Sequence, residues 1–339
     1  MKRISSFSKM TALMFVAVGL LFTACEPYQF QALKGTVTTE AKNAIDVLPA
    51  DVMYVAMMNT QDLDNNEFTD VLGPQGAIYG NSSQEGVAML MSFLEVTNLD
   101  PEEDLQSIYL AVSESDRSQP DFSAVVYVEN DPESLENYLE NYATGTKQMR
   151  NYKGINIFES TDGDAPSVGL ANEEMVLFGS SSVLIEAMID RLQGEASVTP
   201  ALSSDDDMMA LVEDAAIGGS GWFIGKKPAD ANLGFNNNMT DSMARDAMQI
   251  WSALDYAVGT LNIEGDGFDS QVLFYPSENV STDDMASLMN GLIAAAKAFP
   301  EIEAQQLEVL DDLRAKASGD YVRIAMYIDN NMIQTVSGR

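Results

Sequence analysis

Histidine does not occur in this 339-residue chain, and Cys25 is its one cysteine. Those absences remove whole classes of chemistry. Ser-His-Asp and Cys-His catalysis, Cys/His zinc centres, histidine-held haem and disulfide scaffolds all need residue types the chain does not supply. Carboxylate, lysine and tyrosine chemistry remains. Basic residues are also scarce, 18 against 52 acidic ones, for a formal charge of −34. A surface so acidic repels nucleic acid and anionic lipid headgroups and favours solubility, and its plainest reading is a solvated acidic exterior. With this many acids, close carboxylate pairs arise by chance, so abundance alone does not point to a glycosidase-like pair.

Long apolar runs are equally few. The one near the N-terminus, from about Ala12 to Phe22, follows Lys2, Arg3 and Lys9 and leads into Leu20-Leu21-Phe22-Thr23-Ala24-Cys25. A basic start, an apolar stretch and small or polar residues before a processing point are the three parts of an export signal. The segment resembles a bacterial lipoprotein signal peptide, although Phe22 stands where that pattern usually has an aliphatic residue. The resemblance implies cleavage after Ala24 and lipidation of Cys25, which becomes the new N-terminus. The alternative is an ordinary secretory signal with a chance cysteine. No other stretch approaches the roughly 18–20 consecutive apolar residues that span a bilayer, so the lipid is expected to be the sole membrane attachment.

Beyond Cys25, residues 26–43 sustain neither a period of 2 nor one of 3.6 and read as a tether, with folded sequence expected from about Val47. Strands are expected at 52–58, 107–113, 122–129, 154–160, 167–171 and 174–179, with 107–113 and 122–129 pairing antiparallel. Helices are expected at 85–96, from the Asp131-Pro132-Glu133 start to Tyr142, and at 181–192 closed by Gly194. The second half repeats the order: helix 205–213, strand 216–225, helix 240–254, strands 256–263 and 268–275 joined by Glu264-Gly265-Asp266-Gly267. A helix capped by Ser281 or Thr282 follows, then a helix at 302–317 and strands at 320–329 and 332–336. Hairpin-linked strands covered by returning helices give an α+β fold with antiparallel sheets and helices on one face. The order suggests two related lobes from a diverged duplication of a β-α-β-β-α-β-β unit. The expected organisation is a signal peptide at 1–24, lipidated Cys25 and tether at 25–46, a first lobe at 47–200 and a second at 201–339.

Each candidate site has a plainer structural explanation. Asp62-Leu63-Asp64-Asn65-Asn66-Glu67 begins like a calcium loop, but Glu67 occupies the turn glycine's place and Gly73 that of the bidentate acid. Asp205-Asp206-Asp207 suits the head of a helix, whose dipole favours acids. Glu264-Gly265-Asp266-Gly267 reads as a hairpin turn. In Gly218-Gly219-Ser220-Gly221 with Gly225-Lys226, the spacing fails the phosphate-loop pattern, and Lys227 replaces its magnesium-binding hydroxyl. Glycines beside Trp222 fit close packing or a bulge. The 20 methionines, with pairs such as Met89/Met91 and Met285/Met289, fit core filling better than copper binding. No catalytic residue, cofactor or metal ligand is therefore expected.

The layout, together with Leu48-Pro49-Ala50-Asp51, Leu99-Asp100-Pro101-Glu102-Glu103-Asp104-Leu105 and Tyr152-Lys153-Gly154, resembles an uncharacterised family of exported bacterial proteins carrying a domain of unknown function. That resemblance implies a fold and no activity. The expected role is a non-enzymatic envelope lipoprotein, an interaction or structural module whose partners are the membrane, through Cys25, and an envelope protein. The alternative is a periplasmic carrier for a lipid or other apolar ligand, with a dry cavity beneath helices 240–254 and 282–298. A third class, a carboxylate hydrolase, would need two acids converging in a cleft. Residues 26–30 hold one acid and no acidic cluster, leaving inner membrane, outer membrane and cell surface open, with the outer membrane favoured.

Overall fold

The structure is a computed structural model that describes residues 37–61, 104–113, 121–129, 147–160, 167–195, 200–215, 219–227, 241–264, 267–297 and 313–329. The chain divides into two compact units, and the described residues change unit between Ala216 and Ile217. Both are mixed α and β with antiparallel pairing throughout, an α+β arrangement.

The N-terminal unit opens with helix α1 (Thr39–Val47). Thr38 starts it, its Oγ1 accepting from the Ala41 amide at 3.1 Å, which satisfies one of the amide donors a helix start leaves open. Ala41, Ala44 and Ile45, with Leu48 just beyond the helix, recur at helical spacing, and all are buried. This corrects the tether, whose expected span overlaps a helix that is part of the core. Nine residues give too few turns for a sustained period, and the burial comes from tertiary contact.

Among the described residues, seven strands follow in this unit: β1 (Tyr54–Asn59), β2 (Leu105–Ser113), β3 (Asp121–Val128), β4 (Lys147–Tyr152), β5 (Ile155–Ser160), β6 (Ser167–Asn172) and β7 (Met175–Gly179). Their sheet order is β1-β2-β3-β7-β6-β5-β4. The register aligns Met57, Tyr109, Val125 and Leu177 across four strands, so one face carries them together with Val55, Ala111, Gly169 and Ile157. Onto this face packs α2 (Ser182–Leu192), burying Ile185, Met188 and Ile189. Gly169 makes room for it: an added Cβ would lie 2.8 Å from a methyl of Ile185. Helix α2 ends in a Schellman arrangement, with Gly194 at φ +69°, its amide on the Arg191 carbonyl at 2.9 Å and the Glu195 amide on that of Asp190 at 2.8 Å. A 3₁₀ turn (Leu202–Ser204) and α3 (Asp206–Ala215) complete the unit, joined to the end of α1 by Leu202 N to Leu48 O at 2.8 Å.

The second unit holds β8 (Gly221–Lys226), α4 (Asp241–Ala253), β9 (Leu254–Glu264), β10 (Gly267–Pro276), α5 (Thr282–Lys297), β11 (Lys316–Ser318) and β12 (Tyr321–Asp329). Its strands lie in the order β11-β12-β10-β9-β8. Ser281 and Asp284 cap α5 reciprocally: the Asp284 amide donates to Ser281 Oγ at 3.1 Å and Ser281 Oγ donates to Asp284 Oδ2 at 2.7 Å. Trp251, Val272, Phe274, Met285, Met289, Val322 and Ile324 form one continuous buried cluster with Leu313 and Ala315.

Several expectations meet their counterparts within a residue or two, and three are corrected. Strand β4 has no counterpart among the expected strands, since Lys147-Gln148-Met149-Arg150-Asn151-Tyr152 does not alternate; it is specified by its pairing with β5 through a two-residue turn. The expected helix at 302–317 gives way at its end, where Lys316–Ser318 pairs with Tyr321–Arg323 across Gly319 at φ +62°. The expected lobe boundary after residue 200 moves to 216, because α3 packs with the 3₁₀ turn and belongs to the N-terminal unit. The expected helices at 85–96 and 131–142 and the strand at 332–336 lie outside the described residues.

Ile45→Ala is expected to destabilise the N-terminal unit by about 2–5 kcal/mol, where a tether residue would leave stability unchanged; chemical denaturation monitored by circular dichroism checks this. Gly259→Ala places a Cβ 1.9 Å from the Phe223 ring, so a loss of about 1–3 kcal/mol is expected for overpacking, read as a lowered denaturation midpoint.

Candidate functional site

Two polar constellations stand out in the N-terminal unit, and both join a helix to the sheet. The first gathers around Glu40 in the opening turn of α1. Its Oε1 accepts a hydrogen bond from Ser107 Oγ and a longer one, 3.4 Å, from the Tyr109 hydroxyl. The Tyr127 hydroxyl donates to the Glu40 backbone carbonyl at 3.2 Å. Ser107, Tyr109 and Tyr127 are brought together by register, since Ser107 stands opposite Tyr127 on adjacent strands, and the two rings meet edge to face at 6.0 Å. Burial, with the nearby Glu40 charge adding to it, pushes both phenols well above their ordinary range. They are held neutral as donors. Ser107 and Tyr109 are 3% and 1% exposed, which closes them to a substrate; their chemistry here is to satisfy a carboxylate and a carbonyl at a helix start.

The second constellation surrounds the β4–β5 turn and α2. Lys153 and Gly154 both have positive φ, +50° and +89°, as a type I′ hairpin requires, and the Gly154 amide donates to Asn151 Oδ1 at 3.1 Å. The turn aims Lys153 Nζ at Asp190 (2.8 Å) and Glu195 (2.5 Å). Tyr152 donates to the same Asp190 at 3.0 Å. Two residues before Tyr152 on the same strand, Arg150 pairs with Glu159 at 3.2 Å and with Glu186. Hydrogen bonds and charge raise the Lys153 ammonium, with the bond to Asp190 foremost. The same bond draws Asp190 below its usual value. Burial pushes Glu159 up, but hydrogen bonds from Ser182 and Gln148 and the charge of Arg150 outweigh it, so its carboxyl also sits low. Arg191 joins the two constellations: its Nη1 donates to the Val47 carbonyl at the end of α1 at 2.6 Å, and burial brings its guanidinium down to about 10.

A general acid of the glycosidase kind needs a carboxyl with a raised pKa. Glu159 and Asp190 are moved the opposite way, Glu159 by hydrogen bonds from Ser182 and Gln148 and by Arg150, Asp190 foremost by Lys153, so these acids serve as hydrogen-bond and ion-pair partners. Among the described residues no group of three or more acidic side chains is arranged to hold a metal.

The candidates read from the sequence fall as follows. Cys25 and the 62–67 loop lie outside the described residues. Asp205 caps α3, its Oδ1 accepting from the Met208 amide at 3.0 Å, with Asp206 and Asp207 in the first turn. Residues 264 and 267 end the paired strands β9 and β10. Gly219 allows a close approach, since a Cβ there would lie 2.4 Å from the Leu261 carbonyl oxygen, and Ser220 Oγ accepts from the Ile263 amide at 3.0 Å. Those contacts spend the glycine-rich segment on its neighbouring strand. Met285 and Met289 are buried in the core. Neither constellation was foreseen. The Lys153-Gly154 pair was the one local signal of the second; the first depends on residues 67 and 87 positions apart.

The chain belongs to the family described as "Protein of unknown function (DUF3352)", which matches residues 10–274. No curated protein matches it. Two solved structures titled crystal form I and crystal form III of TP0453 align over 87% of this chain and 96% of theirs, at 10% and 11% identity and TM-scores of 0.47 and 0.49. That likeness is too slight to bear on the chain's activity.

Asp190→Asn is expected to lower stability at neutral pH and to lose its effect in acid. Because the folded-state pKa of Asp190 is depressed, the carboxylate's contribution is present above its unfolded value near 3.8 and disappears as pH falls through the lower folded value. Denaturation midpoints of wild type and variant between pH 7 and pH 2.5 should converge at the acid end.

Proposed function

We propose that this family member is a lipid-anchored envelope protein, a non-enzymatic interaction or structural module whose partner is another envelope protein. The observation that carries the reading is the placement of Cys25 directly after Leu20-Leu21-Phe22-Thr23-Ala24, behind an apolar run with a basic start. The missing histidine supports the non-enzymatic part. So does the state of the polar constellations, whose acids and phenols are occupied in holding helices to a sheet.

Two finer readings belong to the same proposal. A carrier would need a cavity beneath α4 and α5. Trp251, Met285 and Met289 pack instead in one cluster with Val272, Phe274 and Ile324, which supports the interaction module at that place. For the duplication, both units contain three antiparallel strands neighbouring in chain order, β1-β2-β3 and β8-β9-β10. The second unit runs β-α-β-β-α-β-β through its described elements. Beyond the shared strands the units differ, with β7-β6-β5-β4 in one and β12-β11 in the other.

Intact-mass and N-terminal peptide analysis of protein extracted in detergent from bacterial membranes tests the anchor. The expected product begins at Cys25 with a diacylglyceryl mass on its sulfur, and Cys25→Ser is expected to leave the membrane fraction. A mature chain processed elsewhere and free of lipid overturns the reading.

A further inference from the structure

Helix α1 shortens the distance between the anchor and the folded chain. Read from sequence, residues 26–46 formed the tether; with Thr39–Val47 built into the core, thirteen residues, Glu26 to Thr38, separate Cys25 from α1. At 3.3–3.6 Å per residue they span at most about 45 Å, against roughly 70 Å for the longer tether. The short leash is fixed at its inner end. Glu40 is bonded to Ser107, Tyr109 and Tyr127, and the carbonyl of Val47 to Arg191, so pulling on the leash meets both ends of α1 before residues can be drawn out.

Charge sets which surface this leash can bring to a bilayer. The chain carries −34, and an acidic face is repelled by anionic headgroups. The exposed side of α1 consists of Thr39, Lys42, Asn43 and Asp46, one base balancing one acid. Its other acid, Glu40, is turned inward onto Ser107. The leash itself holds one acid, Glu26, and one base, Lys34. Resting on the lipidation of Cys25, we propose that the exposed face of α1 is the membrane-proximal surface of the N-terminal unit, held beside the bilayer that carries the anchor.

Energy transfer on vesicles tests this. Full-length lipidated protein, whose Cys25 thiol is blocked by the lipid, receives a single new thiol at Asn43→Cys on α1 or at Ser113→Cys. Ser113 lies six residues along β2 from Ser107, about 20 Å away at strand rise. Each is labelled with a donor and reconstituted into phosphatidylethanolamine/phosphatidylglycerol vesicles bearing headgroup acceptors. The expected result is strong transfer from position 43 and clearly weaker transfer from position 113. A Gly/Ser insert of twenty residues after Glu26 is expected to reduce transfer from position 43. Equal transfer from both positions, or transfer from position 43 that the insert leaves unchanged, overturns the proposal. Vesicle flotation separates the two failures: protein that does not float has no lipid anchor, whereas protein that floats without the expected transfer has the anchor and another orientation.

Discussion

Burial of apolar helix edges against one face of an antiparallel sheet is the constraint on which the rest of each unit depends. In the N-terminal unit, Ile185 of α2 lies over Gly169, where even one added carbon would come within 2.8 Å. Met188 and Ile189 are buried beside it. Fixing α2 fixes Arg191 and Asp190 on its last turn. Arg191 holds the end of α1, and Asp190 holds the β4–β5 turn. A close contact between a glycine and an isoleucine thus positions charged groups that share no strand with either. In the second unit, Trp251 of α4 and Met285 and Met289 of α5 are buried in one cluster with Val272, Phe274 and Ile324 of the strands. Phe223 lies against Gly259, at a distance that leaves no room for a side chain on the facing strand.

The acidity of the chain has a local and a global side. Globally 52 acids face 18 bases, so acids outnumber bases almost three to one. Locally, Arg150 and Lys153 between them engage four carboxylates. Exposed ion pairs are worth little singly, because solvent screens them and ordering long side chains costs entropy. Here they secure a turn whose central lysine has positive φ, a conformation uncommon for any residue but glycine. Glu40 differs, because its partners are buried. Ordering it costs desolvation, which the donors from Ser107 and Tyr109 offset.

Legibility in the sequence followed the range of the interaction. Strands β2 and β3 and their antiparallel pairing were readable from two short apolar runs and the polar turn between them. The start of α5 was readable from Ser281, and the end of α2 from Gly194 at φ +69°. Helix α1 is not legible in the sequence although Ala41, Ala44, Ile45 and Leu48 sit at helical spacing, because nine residues carry little propensity signal of their own. Strand β4 lacks alternation and is a strand through its neighbour β5. The Glu40 constellation had no local signature, since a glutamate in a first helical turn is ordinary.

The sequence by itself determined the basic-then-apolar run that leads into Cys25, the absence of histidine, the acidic character, and the α+β class, because each is written in composition or in runs of adjacent residues. Tertiary structure alone decided that Glu40 meets Ser107, Tyr109 and Tyr127, that Asp190 and Glu195 share Lys153, and that Thr39–Val47 is a helix with a buried face. The reason is physical: strand register and helix packing bring together groups tens of residues apart, and which polar groups are then buried beside one another is a property of that juxtaposition and of no single segment.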